Sequence, residues 1–522
     1  MNGFILDNTK NTLQIPACDK VITSELSGEL ILPDYLPEVK RLIRVTSRVA
    51  PMSRYIIPGS VSYSGTVNFE MLYTDNEGSA HSVVLGCDYE FECELGAADR
   101  EIGAENIFCD AEMESVSARP VGPRKFIVKG RLRSRVRAFY DIEICEKIIG
   151  TESERFDASI ERLKKTYPAA RIFRAAGEEI VVTEDIPLES GDSRIVCSEG
   201  NVIISDVSCA DEGVNCRGEI IVRVVLERSS GDLYTVSKRI PIAQTVAIEG
   251  AHRGCECRAW GCIGTVDTMI DSPEGEGRST LVLQVSAVPE AQVQENIDVT
   301  FSEDAYSSVC KSECDMKNYV IPYAVTSKTV SASFSQSLPL SDAGVSPESI
   351  IIDTSAAAKI ESVEFARGRH IISGKCQISL LTSEEMPECS EFEVPFSCEL
   401  EASCDKKCSF DANATVSMAK CRIEGENLSV EADVVAAISI YSEEQLRAVE
   451  QIRLFGDSPY EAATSSDAVT VYYPDKDESV WDVAKKYHIS PKKILTSRDP
   501  AELFDVSVSM MSLGMDYVIF EG

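Results

Sequence analysis

Alternation with a period of two dominates residues 20–455. Tyr89, Phe91, Cys93 and Leu95 are apolar, and Glu90, Glu92 and Glu94 stand between them. Phe126, Val128, Leu132, Val136 and Tyr140 share one parity, while Arg131, Arg133, Arg135 and Arg137 occupy the other. Successive side chains of an extended chain point to opposite faces, so this pattern puts one face in a core and one in water. Clusters of Gly, Pro, Ser and Asp punctuate the runs, as at 119–123 and 229–232, and read as turns. Many short strands joined this way predict a mainly β protein built of tandem antiparallel sandwich-like or barrel-like domains.

The pattern recurs. Gly65, Gly218 and Gly374 open the runs GTVNFEMLY, GEIIVRVVL and GKCQISLL. A turn and a second strand follow each: HSVVLGCDYEF, LYTVSKRIPIA and SEFEVPFSCEL. A further strand closes each set: KFIVKGRLRSRV, STLVLQVSAV and NLSVEADVVAAISI. Leu/Pro-rich lead-ins precede them: LILPDYLPEV, EDIPLESG and SLPLSDAG. The glycines are about 150 residues apart, the size of a domain and not of a solenoid turn. This predicts three divergent copies of one β-domain, at residues 1–150, 181–320 and 321–457. Between the first two, 151–180 is expected to be a helical linker, with a short helix at 158–177 interrupted by Pro168. Residues 458–467 are small and polar and read as a tether to a terminal domain at 468–522.

In that terminal domain Val469 to Tyr473 alternates and fits a strand. A helix should start near Asp477 to Ser479, whose side chains can accept from free backbone N–H groups. Val480, Val483, Ala484 and Tyr487 then form one buried stripe. Ser490 and Pro491 are a cap and an N1 proline, predicting a second helix with Ile494 and Leu495 as its core contact. Tyr517 and Ile519 belong to a closing strand beside the first. Trp481, inside the first helix, reads as core and not as a stacking platform.

The order strand–helix–helix–strand, carried by VTVYYPDKDESVWDVAKKY, HISPKKIL and LGMDYVIF, resembles a LysM domain, a small βααβ module. In LysM domains that bind N-acetylglucosamine chains, sugar lies between the loop before the first helix and the loop after the second. The matching positions are Asp477, Glu478, Ser479 and Val480, then Thr496, Ser497 and Arg498. The chain departs from the family there. The usual Gly-Asp-Thr-Leu is Asp477-Glu478-Ser479-Val480, the usual Asn is Arg498, and the usual closing Ile-Pro is Ile519-Phe520. Losing that Gly and Asn removes close backbone approach and amide hydrogen bonds that suit sugar hydroxyls. Lys485, Lys486, Lys492, Lys493 and Arg498 concentrate basic charge, either as a solvated face or as a docking surface for an acidic partner.

Composition narrows the function. The net charge of −34 repels nucleic acid and anionic lipid. No basic start with an apolar signal-peptide core opens the chain, and no run nears the roughly 18 apolar residues of a bilayer span. The expectation is a cytosolic protein with reduced thiols. The 19 cysteines include Cys255, Cys257 and Cys262, Cys310 and Cys314, and Cys404 and Cys408, whose spacings do not match a common zinc knuckle. The 4 histidines, His81, His252, His370 and His488, form no H-E-x-x-H or Cys–His signature. No catalytic residue, metal or cofactor is expected. The Arg131–Arg137 ladder reads as the wet face of a strand, with Glu112 and Glu114 opposite across the turn at 119–123.

Repeated β-domains with a lead-in such as LPDYLPEVKRLIRV, followed by a LysM module, resemble clostridial spore-coat morphogenetic proteins of the SipL type. The resemblance implies a non-enzymatic role in the mother-cell cytosol during sporulation, at the forespore surface. There the LysM domain binds the coat basement-layer ATPase, stage IV sporulation protein A, or another coat protein. The alternative is a peptidoglycan-binding protein acting at the cell wall or spore cortex.

Overall fold

The computed structural model describes residues 4–5, 11–96, 102–150, 159–188, 193–272, 279–402, 404, 408–460, 469–473, 478–496 and 518–521. The chain is mainly β, in antiparallel sheets. One order of pairing occurs in three successive stretches, here called the first, second and third units. In the first, the strand Asn11–Ile31 pairs with Lys125–Ile144, which pairs with Ile107–Gly122. The second sheet is a meander of Arg41–Val49, Ser60–Thr74 and Ala80–Glu94. Ser53–Ile57 continues the line of Arg41–Val49 along the same neighbour. Pro51, between them, has no N–H to give the ladder.

The second unit pairs Thr280–Ser307 with Glu256–Asp271 on one side and with Ile160–Ala176 and Ile180–Pro187 on the other. Its meander is Ser193–Ala210, Gly213–Arg228 and Leu233–Ala247. The third pairs Cys310–Pro339 with Asn427–Pro459 and that with Ser409–Glu424, against a meander of Ile350–Ala366, Arg369–Ser383 and Pro387–Leu400.

Within each unit the two sheets meet across one apolar core. Tyr63, Phe69, Phe126, Val128 and Leu132 fill the first, Ile220, Val222, Leu283 and Val285 the second, and Cys376, Ile378, Val430 and Val434 the third. The alternating patterns are the cause, since every second side chain faces inward. At the turn after Arg228 the chain needs positive φ, which Gly231 supplies at +89°.

Two expectations are corrected. The helix expected at 158–177 does not form among the described residues: Ile160–Ala176 is a strand paired with residues 290–307. The Leu, Arg and Lys residues that favoured a helix yield to a long-range ladder, and Pro168 is tolerated because this strand has a ladder on one side only. On part of its other edge the buried Gln14 side chain imitates a strand. Gln14 Nε2 donates to Ile172 O at 2.9 Å, and Ile172 N donates to Gln14 Oε1 at 2.7 Å. The boundary expected at 320/321 falls inside the strand Cys310–Pro339.

The units are joined by more than linkers. Lys147–Gly150 pairs in parallel with Gln451–Leu454 of the third unit. At a central junction two guanidiniums lie over the Trp260 ring, Arg174 at 4.5 Å and Arg258 at 4.6 Å from its centroid. Arg174 pairs with Glu290 at 2.7 Å and with Asp110 of the first unit at 2.6 Å. Arg258, 1% exposed, donates to Gln292 at 3.0 Å and to Asn413 and Ala437 O of the third unit at 2.9 and 3.1 Å. A second junction joins Arg44 of the first unit, Glu199 and Arg223 of the second and Asp353 of the third, at 2.6–3.5 Å.

Candidate interaction surface

The basic terminal module is the candidate site. Val469–Tyr472 and Ile494–Thr496 flank Val518–Glu521 in a three-stranded sheet. The helix Val480–Tyr487 is started by a reciprocal cap. Asp482 N donates to Ser479 Oγ at 3.2 Å, and Ser479 N donates to Asp482 Oδ2 at 2.9 Å. His488 ends it with φ +55° and stacks on Tyr460 at 3.7 Å. Val480, Trp481, Val483 and Ala484 are buried, whereas Tyr487 is 38% exposed.

Among the described residues, the second helix expected from Ser490 onward does not form. Pro491–Lys493 is a single 3-10 turn, and the chain then extends into Ile494–Thr496. Pro491 does stand at the start of that turn, but the Ser490 side chain makes no capping hydrogen bond. The β-branched Ile494 and Thr496 then take the strand pairing that Val518–Glu521 offers.

The module is seated on the end of the second unit. Asp304 gathers two donors from the module: Trp481 Nε1 at 2.9 Å and Lys485 Nζ at 2.6 Å. The Tyr306 ring meets Trp481 edge-on at 4.9 Å, and its hydroxyl donates to Ile489 O at 2.6 Å. Burial pushes that hydroxyl's pKa upward. Leu163 and Tyr306 share one apolar cluster with Val480, Trp481, Val483, Ala484 and Ile494.

This geometry sorts the sequence-predicted residues. Ser479 is a helix cap and Val480 is core, so neither presents its side chain to a ligand. Glu478 accepts from the Tyr472 hydroxyl at 2.8 Å and lies 3.5 Å from Lys486, whose ammonium also donates to that hydroxyl at 2.7 Å. Lys485 is held by Asp304. Lys492 and Lys493 are exposed. Thr496 lies in a strand, and Asp477, Ser497 and Arg498 are outside the described residues. Sequence reasoning missed Asp304 and Tyr306. Their local run carries no signal for this role, because their partners lie some 180 residues away.

The Arg ladder divides. Arg131 pairs with Glu114 at 3.2 Å and Arg133 with Glu112 at 2.8 Å, across the hairpin. Arg135 reaches Asp19 at 2.7 Å and Asp411 of the third unit at 2.9 Å, and Arg137 also pairs with Asp411. Among the described residues no group of His, Cys, Asp and Glu is arranged to hold a metal ion. No described helix is long and apolar enough to cross a membrane.

A family model described as SipL, SPOCS domain matches residues 193–271. The matched stretch runs from the start of the second unit's meander to the end of the strand Glu256–Asp271. It supports a relationship to the SipL type and a sporulation-related role. No curated protein and no solved structure matches the chain.

Proposed function

We propose that this chain is a non-enzymatic morphogenetic scaffold of sporulation. The joined β units are its body, and the terminal module, of LysM type, docks a coat protein. The family match at 193–271 is the observation that carries this reading. The partner that the SipL type implies is the coat basement-layer ATPase, stage IV sporulation protein A, met in the mother-cell cytosol at the forespore surface. The module supports a protein partner over a glycan, because Ser479 and Val480, two of the positions that would line a sugar groove, are a cap and core. Lys492 and Lys493 remain exposed for charge-steered docking.

The test is binding of the purified full chain to that ATPase and, in parallel, sedimentation with insoluble peptidoglycan. Binding to the ATPase that weakens about tenfold in a Lys492→Glu, Lys493→Glu variant supports the reading. Retention on peptidoglycan without affinity for the ATPase reverses it.

A further inference from the structure

All the cysteines are free thiols, yet two pairs face each other across a sandwich. Cys18 is in the strand Asn11–Ile31 and Cys93 in Ala80–Glu94, which belong to different sheets of the first unit. Cys93 is in the first unit's apolar core, and Cys18 packs against that core from the other sheet. The approach of these strands is fixed independently. Lys20 Nζ donates to Glu94 O at 2.6 Å, and a Cβ on Gly96 would lie 3.2 Å from Ala17 O.

The second unit repeats the arrangement with other strands. Cys209 is in Ser193–Ala210 and Cys257 in Glu256–Asp271, again in different sheets, and both pack against the second unit's core. These strands also pack closely: a Cβ on Gly261 would lie 2.3 Å from Val202 Cγ1, and one on Gly200 would lie 2.9 Å from Val266 Cγ2. Cys18, Cys209 and Cys257 are only half-buried, so a small reagent can reach one thiol of each pair. Cys376 and Cys421, by contrast, are buried in the third unit's core.

We propose that Cys18–Cys93 and Cys209–Cys257 are disulfide-forming sites, closed by exchange with a low-molecular-weight disulfide, each stapling the two sheets of its unit. In each, one protein thiolate attacks a sulfur of the reagent disulfide and expels one reagent thiolate. The second protein thiolate attacks the resulting mixed disulfide and expels the other. Two protein thiols become one disulfide, one reagent disulfide becomes two thiols, and the two protons pass to the released thiolates. Burial and the neighbouring Cys93 raise the Cys18 thiol to about 11, so closure there accelerates as pH rises.

The experiment incubates the reduced full chain with oxidised glutathione at alkaline pH. Free thiols are then alkylated, and unreduced peptides are mapped by mass spectrometry. Linked peptides joining Cys18 to Cys93 and Cys209 to Cys257 are expected, with Cys376 and Cys421 alkylated only after unfolding. The unfolding midpoint should rise by about 5 °C and return on reduction. The rise should be absent in a Cys18→Ser, Cys209→Ser variant. Mapping of the unaltered chain decides the matter even if that variant misfolds. Glutathione adducts without linked peptides, a different pairing such as Cys209 with Cys255, or no oxidation at all overturns the proposal.

Discussion

Two polar–aromatic contacts hold distant stretches of this chain together, and water reaches them differently. At the central junction, Arg174 and Arg258, 4% and 1% exposed, both lie over the Trp260 ring. At the terminal module, Trp481 and Lys485 share Asp304, and the Lys485 side chain is 42% exposed. The chemistry is similar and the consequences are not. A guanidinium out of water is costly to leave unpaired, so the junction holds only as a complete set. An ammonium in water loses little when its partner leaves, so this ion pair adds little to the apolar contact that Leu163 and Tyr306 make with the module.

Arg258→Ala should give the largest effect. It strands the Gln292 and Asn413 side-chain oxygens and takes a cation from Trp260. A loss of about 3 kcal/mol in urea unfolding is expected, with the second and third units affected together. A loss under about 1 kcal/mol, or one confined to a single unit by hydrogen exchange, would make the junction no tighter than the latch. Asp304→Ala should cost less, about 1–2 kcal/mol, and only locally. Hydrogen exchange at Val480–Tyr487 should speed while the midpoint of the body stays put. A body midpoint that falls with it would show the module to be part of the body.

Much of the body is legible in the sequence. Phe126, Val128, Leu132 and Val136 face the core, as their parity says, and Arg131 and Arg133 lie opposite Glu114 and Glu112. Those features need only a strand and a hairpin. What could not be read depends on partners far along the chain. Ile160–Ala176 has helix-favouring composition, and it extends because residues 290–307 are there to pair with it. Ile494–Thr496 extends for the same reason against Val518–Glu521. Asp304 reads as one more outward carboxylate until Trp481 and Lys485 are seen on it.

Acid provides a subtler separation of the two regions. His370, 1% exposed in the third unit, has no hydrogen-bond partner among the described residues at either ring nitrogen, and burial lowers its pKa. Burial also lowers the pKa of His488, stacked on Tyr460 beside the latch. In both, the unfolded or released form takes up a proton first. Stability is therefore complete above the ordinary value of 6.5 and is lost as pH falls through the folded value. His370→Phe should flatten the acid limb of urea unfolding. His488→Asn, which tolerates positive φ, should flatten only the acid-induced speeding of exchange in the module. If either change alters both readouts, the two regions are one cooperative unit.

The smallest effect lies within a single strand that contains both kinds of contact. Arg133 and Glu112 are 37% and 49% exposed, and Arg137 and Asp411 are 8% and 9% exposed. The side chains differ by two ladder positions and in their surroundings: the third unit buries the second pair, whereas it reaches the first only through the exposed Lys359, 3.7 Å from Glu112. Arg133→Ala should move stability by no more than about 0.5 kcal/mol, within what exposed pairs contribute. Arg137→Ala should cost several times that, because it leaves the Asp411 carboxylate buried beside one remaining cation, Arg135. Equal losses would mean that desolvation by the neighbouring unit does not set the strength of these contacts, and the contrast between junction and latch would lose its physical basis.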